Sequence, residues 1–233
     1  MADMHDKRFP GENADYRTAR NDLLTAEMDL RRQVEAVAAM RRGLPPGGPL
    51  KEDYLFKEGA TDLADRETVK ETRLSDLFAA GKDTLAIYGF MYGPDTSSPC
   101  PMCTAFLDSL NVVAAHAIQQ INLAVVAKAP IRDIRTFAAS RGWTNLRLLS
   151  SGGTTYNADY FTETPDGEQI PVINVFRKTA DGIRHAYGSE LFFVPEEPGQ
   201  NPRHMDMMFP LWNLLDITPD GRGATWFPQL SYD

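Results

Sequence analysis

Two cysteines, Cys100 and Cys103, are the only thiols in a chain of 233 residues, and they stand three apart in "SSPCPMC", residues 97–103. That spacing holds two sulfurs within disulfide reach once the second lies one helical turn past the first. Three chemistries fit such a pair. A zinc knuckle needs about four ligands, and His116, His185 and His204 are scattered, with no second Cys/His pair at ligand spacing. Inert buried thiols would suit Cys103 but not Cys100, which follows the polar stretch "GPDTSSP". The third chemistry is thiol–disulfide exchange, with Cys100 as the exposed attacking thiolate and Cys103 as the shielded resolving thiol.

The neighbouring elements give those roles a physical cause. "TLAIYGFMY" (84–92), bounded by Gly93-Pro94, reads as a buried strand. "CTAFLDSLNVVAAHAIQQ" (103–120) carries Phe106, Leu107, Leu110, Val113, Ala114 and Ala117 at helical spacing. Pro101 suits a first helical position, since its φ is fixed and it has no N–H to leave unpaired. Cys100 then sits at the helix start, where free backbone N–H groups and the helix dipole favour a thiolate.

Around this unit we expect strands at 53–56, 121–128 and 146–151, a helical turn at 74–82, and a helix at 131–142 closed by Gly142. "EGATDLADRETVKETR" (58–73) reads as a polar excursion. "PVINVFRK" (171–178) and "IRHAY" (183–187) flank "TADG" as an antiparallel hairpin. A last helix covers parts of 203–216, interrupted by Pro210. Strands alternating with helices and ending in a hairpin imply an α/β core with a mixed sheet. Before all this, residues 15–42 form an amphipathic helix whose apolar face is Ala19, Leu23, Ala26, Leu30, Val34 and Val37, and the linker "GLPPGGP" follows. The domain expectation is therefore an arm and linker over 1–49 and a main domain over 50–233. An apolar face on such an arm calls for cover, by the main domain of the same chain or by a second copy, and a homodimer is the favoured expectation.

Composition narrows the function further. Hydrophobic residues make up 42%, enough for a sizeable core, and the formal net charge is −8. An acidic chain without a basic run is a poor partner for nucleic acid or an anionic membrane surface. The N-terminus lacks the apolar stretch of a secretory signal or anchor, and no run approaches the ~20 apolar residues that span a bilayer. The expected setting is the cytoplasm, where paired cysteines are seldom structural.

Strand, C-x-x-C, helix, strand, helix and a proline-started hairpin together resemble the thioredoxin fold. "IPVINVFRKTADGIRHAYGS" (170–189) looks like the thioredoxin segment in which a cis-proline opens the strand facing the cysteines. The resemblance implies that Pro171 is that proline and that Ile170, Pro171, Pro99 and Pro101 border a substrate groove. "DYLF", "LSDLF" and "TLAIYGFMYGP" resemble the larger, peroxiredoxin-like branch. More specifically, "ADYRTARNDLLTAEMDLRRQVEAVAAMRRGLPPGG", "KEDYLF", "CPMCTAFLDSLN", "VVAKAPIRDIRTFAASRGW" and "LLDITPDGRG" resemble an uncharacterised thioredoxin-like family labelled predicted dithiol–disulfide oxidoreductases, over about residues 14–223. The resemblance implies a protein or small-molecule disulfide as substrate and no cofactor or metal. Thioredoxins carry Trp before the first cysteine, where this chain has Pro99. They also carry a buried acid in the preceding strand, and "TLAIYGF" has none.

Two alternatives remain. Peroxiredoxins place Pro and Thr/Ser seven and three residues before their peroxidatic cysteine. Here Ser97 is at three, but Gly93 is at seven and Pro94 at six, so a thiol peroxidase acting on peroxide is the second reading. A non-enzymatic interaction protein on the same scaffold is the third, since fold does not fix function. "HMDMMF" (204–209) offers soft-metal donors, but the expectation is an apolar face packing on the sheet. "SSGGTTYNADYF" (150–161) has no lysine or helix following in phosphate-loop fashion.

Overall fold

The computed structural model describes residues 4–195, 197, 198, 207–223 and 225–232. The chain divides into two units, Met1–Pro45 and Pro46–Asp233. The first is one helix, α1 (Ala14–Arg42). The Asn13 side chain accepts from the Tyr16 N–H at 2.8 Å and caps its start. At its end the Gly43 N–H donates to the Ala39 carbonyl at 2.9 Å. Of the expected apolar stripe, Ala19, Leu23, Ala26 and Leu30 are exposed and Val34 and Val37 are partly covered, as are Leu24, Met28 and Ala38 outside it. Apolar residues at 23 and 24 and again at 28 and 30 fit either of two faces, so periodicity alone could not choose.

The second unit contains β1 (Leu55–Gly59), β2 (Val69–Arg73), β3 (Thr84–Gly89), α2 (Pro101–Ala117), β4 (Asn122–Ala127), α3 (Ile131–Arg141), β5 (Leu148–Ser150), α4 (Tyr156–Asp159), β6 (Ile173–Thr179), β7 (Gly182–Gly188) and α5 (Pro210–Asp216). The strands form one mixed sheet in the order β2-β1-β5-β4-β3-β6-β7. β3 and β4 are parallel because α2 carries the chain back across the sheet. β6 runs antiparallel to β3 and β7 antiparallel to β6, joined by a tight turn in which Gly182 takes φ 110°. β4-β3-β6-β7 with α2 after β3 is the thioredoxin arrangement. β5 and the β1–β2 hairpin extend it on the β4 side, giving the larger, peroxiredoxin-like mixed sheet flanked by helices.

Side-chain alternation sends β3 and β4 to two cores. Leu85, Ile87, Ala124 and Val126 pack with Tyr54, Phe56 and Tyr156 on one face. Tyr88, Phe90, Val125 and Ala127 pack with Phe106, Leu107, Ile134 and Trp143 on the other. β2, inside the expected polar excursion, is an edge strand that buries only Thr72 and so has no apolar pattern to read. Pro210 starts α5 rather than interrupting a longer helix, as its fixed φ favours. Residues 203–206, the first part of that expected helix, lie outside the described residues. So do His204, Met205 and Asp206 of the methionine-rich stretch. Of its described residues, Met207 and Met208 are exposed and Phe209 is buried.

Candidate active site

β3 ends at Gly89, and the next residues are pinned to it. Phe90 N–H donates to Val126 O at 2.8 Å, and Cys100 N–H donates to Met91 O at 3.0 Å, so the loop between returns the chain to the strand end it left. Within that loop Thr96 N–H and Oγ1 both donate to Gly93 O. Pro99 is buried and Pro101 is exposed at the first helical position of α2. Cys100 is the N-cap, in extended backbone (φ −59°, ψ 125°), and its carbonyl accepts from both the N–H and the Oγ1 of Thr104, at 3.0 and 2.9 Å. Cys103 falls one turn into α2, buried at 3% exposure, while Cys100 is partly exposed.

Both thiols are free, and each is the largest influence on the other's ionisation. The Cys103 S–H stabilises a Cys100 thiolate most; burial opposes it; the backbone N–H groups of Cys103 and Met102 add to it. Together these hold the Cys100 thiol down to about 6. Cys100 makes no side-chain cap of the kind Ser or Asp makes. The amides of the first turn act on its sulfur as an anion instead. The same contact, with burial and the neighbouring negative charge, pushes Cys103 well above the ordinary thiol range. The sequence reasoning assigned the thiolate to the helix start, and the larger cause in the structure is the partner thiol.

Helix α2 is held in place from below. Asp108 accepts from Trp143 Nε1 at 2.8 Å and from Arg141 Nε at 3.2 Å, with a further contact to the Arg141 fork. Trp143 follows Gly142, which takes the left-handed conformation (φ 71°) that ends α3 and lets Trp143 N–H reach back to Ala138 O at 3.0 Å. The Trp143 ring then lies edge-on to Phe90, 5.7 Å between centroids, linking the strand end to both helices.

On the other side of β3, the segment leading into β6 reaches the same end of the sheet. Tyr88 pairs with Ile173, and Gly89 N–H donates to Val172 O at 2.8 Å, so the buried Pro171 arrives beyond the last residue of β3. Ile170 is partly exposed and donates its N–H to Thr162 O at 2.9 Å. This approach needs Gly89: a Cβ there would stand 2.6 Å from Thr162 Cγ2 and 3.3 Å from Val172 O. Thr162 is preceded by Phe161, the one non-glycine residue of positive φ (55°) among the described residues. Register thus brings Pro171 and the Cys100–Cys103 turn to one end of β3.

The residue that sequence reasoning missed is Tyr88, which is buried in the same cluster as Cys103 and coupled to it in ionisation. The available signal was its place in the strand before the pair, at a position where a tyrosine also reads as ordinary core.

A cavity of about 520 Å³ lies elsewhere, between the β1–β2 hairpin, the start of β4 and α3, and touches neither cysteine. Its cations are committed within the protein: Arg135 to the carbonyls of Ala60, Asp62 and Asp65, Arg147 to Glu58, and Lys82 to Ile118 O. Among the described residues no group of three or more His, Cys, Asp or Glu is placed to hold a metal ion. Nor is any described helix long and apolar enough to cross a membrane.

Solved structures similar to this one include a peroxiredoxin-like protein from Aquifex aeolicus (17% identity, 61% of this chain and 77% of that one, TM-score 0.40). Another is the reduced Prx3 of Vibrio vulnificus in complex with hydrogen peroxide (12%, 67% and 90%, 0.45). A third is the exposed lipoprotein thioredoxin Etrx1 of Streptococcus pneumoniae (16%, 66% and 95%, 0.38). No curated protein matches the chain. A family model described as bacterial protein of unknown function, DUF899, matches residues 6–232, and the chain belongs to that family.

Proposed function

We propose that the protein is a dithiol–disulfide oxidoreductase in which Cys100 attacks a substrate disulfide and Cys103 resolves the mixed disulfide. One observation carries the reading: the two thiols are driven in opposite directions, the outer one down to about 6 and the inner one well above its usual range. A nucleophile needs its anion near neutral pH and a resolving thiol needs to wait until the mixed disulfide forms, so this division matches the two steps. Ile170 and Pro171, with Pro99 and Pro101 on the cysteine side, are the residues we assign to the substrate groove.

Thiol peroxidase is the second reading, because an accessible low-pKa cysteine reacts with peroxide as well. Against it, no cationic side chain among the described residues contributes to the Cys100 anion; its support comes from a thiol and backbone amides. Stopped-flow oxidation of the reduced protein by a small disulfide and by hydrogen peroxide separates the two. Disulfide exchange predicts a fast reaction with the disulfide and, with peroxide, a rate within about tenfold of a simple thiolate. Peroxide oxidation faster by several powers of ten would replace this reading with the peroxidase.

A further inference from the structure

Cys103 must become a thiolate to resolve a mixed disulfide, yet it is buried and the strand before it holds no carboxylate. The first turn of α2 holds none either. What the strand offers instead is Tyr88, 2% exposed, which belongs to the same core cluster as Cys103. Its ring is fixed against Phe106, one turn beyond Cys103, at 4.8 Å between centroids. Pairing with both β4 and β6 fixes its backbone, across from Val125 and Ile173. That cluster packs the ring with the Cys103 thiol, and the phenol and the thiol act on each other's ionisation.

We propose that Tyr88 is a catalytic hydrogen-bond donor for the resolving step, its O–H donating to the Cys103 sulfur as that sulfur ionises. This inference rests on the dithiol reading above. Burial and the two thiols push the phenol well above its own usual range, so it keeps its proton and acts as a donor, not a base. Those two thiols are the only titratable groups that act on the hydroxyl among the described residues. In the mixed disulfide Cys100 is bonded to the substrate sulfur and no longer donates or accepts as a thiolate. Cys103 then loses its proton and its thiolate attacks the Cys100 sulfur. The Cys100–Cys103 bond forms, the Cys100–substrate bond breaks, and the electron pair leaves on the substrate sulfur, which takes up a proton. The dithiol is oxidised by two electrons and the substrate disulfide is reduced by two. Removing the donor leaves the developing Cys103 anion in an apolar cluster with only the Met91 amide still lowering its pKa, the Cys100 contact having gone with the substrate bond.

An aromatic disulfide that releases a coloured thiolate reports both steps on the full chain. The first equivalent appears when Cys100 attacks, the second when Cys103 resolves. Tyr88→Phe keeps the ring and should leave the first phase unchanged, slow the second about tenfold and move its pH midpoint up by about one unit. Replacing Tyr88 by 3-fluorotyrosine, a stronger donor of nearly the same shape, should move that midpoint down, and it serves as the test should the phenylalanine variant fold poorly. A second phase unaltered in rate and midpoint by both changes overturns the role of Tyr88 alone. Equal slowing of both phases, with no shift in midpoint, also overturns it, since that is what loosened packing would give. A wild-type protein that releases only one equivalent overturns the dithiol reading, and this proposal with it.

Discussion

Cys100→Ser is expected to lower the rate of attack on a disulfide by at least about a thousandfold, because a serine hydroxyl does not ionise near neutral pH and alkoxide does not form at this helix start. Cys103→Ser is expected to behave differently. It leaves the nucleophile in place and removes the step that releases it, so a covalent adduct of one substrate thiol on Cys100 accumulates, visible in the intact mass. The same change also removes the largest support of the Cys100 anion, the Cys103 S–H. A serine O–H retains a donor at that position, so attack by the Cys103→Ser protein should stay within about tenfold of wild type, whereas Cys103→Ala should move the Cys100 midpoint upward by about a unit or more. Equal activity in both serine variants would mean that the pair does not act in sequence.

The largest stability effect is expected at Trp143. It is 1% exposed, stacks edge-on with Phe90 and Phe137, and donates to Asp108, so it joins α2, α3 and the end of β3. Trp143→Ala removes that volume and leaves the Asp108 carboxylate with Arg141 alone. A loss of roughly 3–5 kcal/mol is expected, which for a chain of this size lowers Tm by roughly 10 °C. Val112→Ala on α2 serves as the control, since Val112 is 70% exposed and its loss should stay within about 0.5 kcal/mol. Thermal unfolding of the reduced proteins checks both. A Trp143→Ala protein as stable as the control would show that this aromatic junction is not what fixes α2.

The parts of this fold that could be read from residues are those whose burial is strongly periodic. β3, β4 and β6 each feed two apolar faces, α2 and α3 present apolar stripes, and Gly142 carries the backbone conformation that ends α3. These are the elements that hold Cys100 and Cys103, so the place of the thiol pair at the start of α2 was legible. β2 was not, because an edge strand that buries only Thr72 has the composition of a loop. α4 was not, because four residues do not complete a helical period. Tyr88 illustrates a different limit. Its neighbours Ile87 and Phe90 are core residues, and only the three-dimensional crossing of β3 by α2 shows that it shares a buried cluster with Cys103. The support of Cys100 by the Cys103 S–H was hidden in the same way. Sequence places the amides of a helix start near a capping residue, but which donor dominates depends on the side-chain geometry of the turn.

The central claim is that one thiol of the pair is an anion near neutral pH and the other is not. The most direct test is timed alkylation of the reduced protein with iodoacetamide between pH 4.5 and 9, with each cysteine followed by peptide mass. Only the thiolate reacts, and its fraction rises as pH passes the pKa. A Cys100 held down to about 6 should react with a midpoint near that pH, and by pH 7 about nine tenths of it is anionic, against a few per cent of an ordinary thiol. Cys103 should stay unmodified across the range while the protein is folded. A Cys100 midpoint near that of a free thiol, or modification of Cys103 ahead of Cys100, would contradict the account.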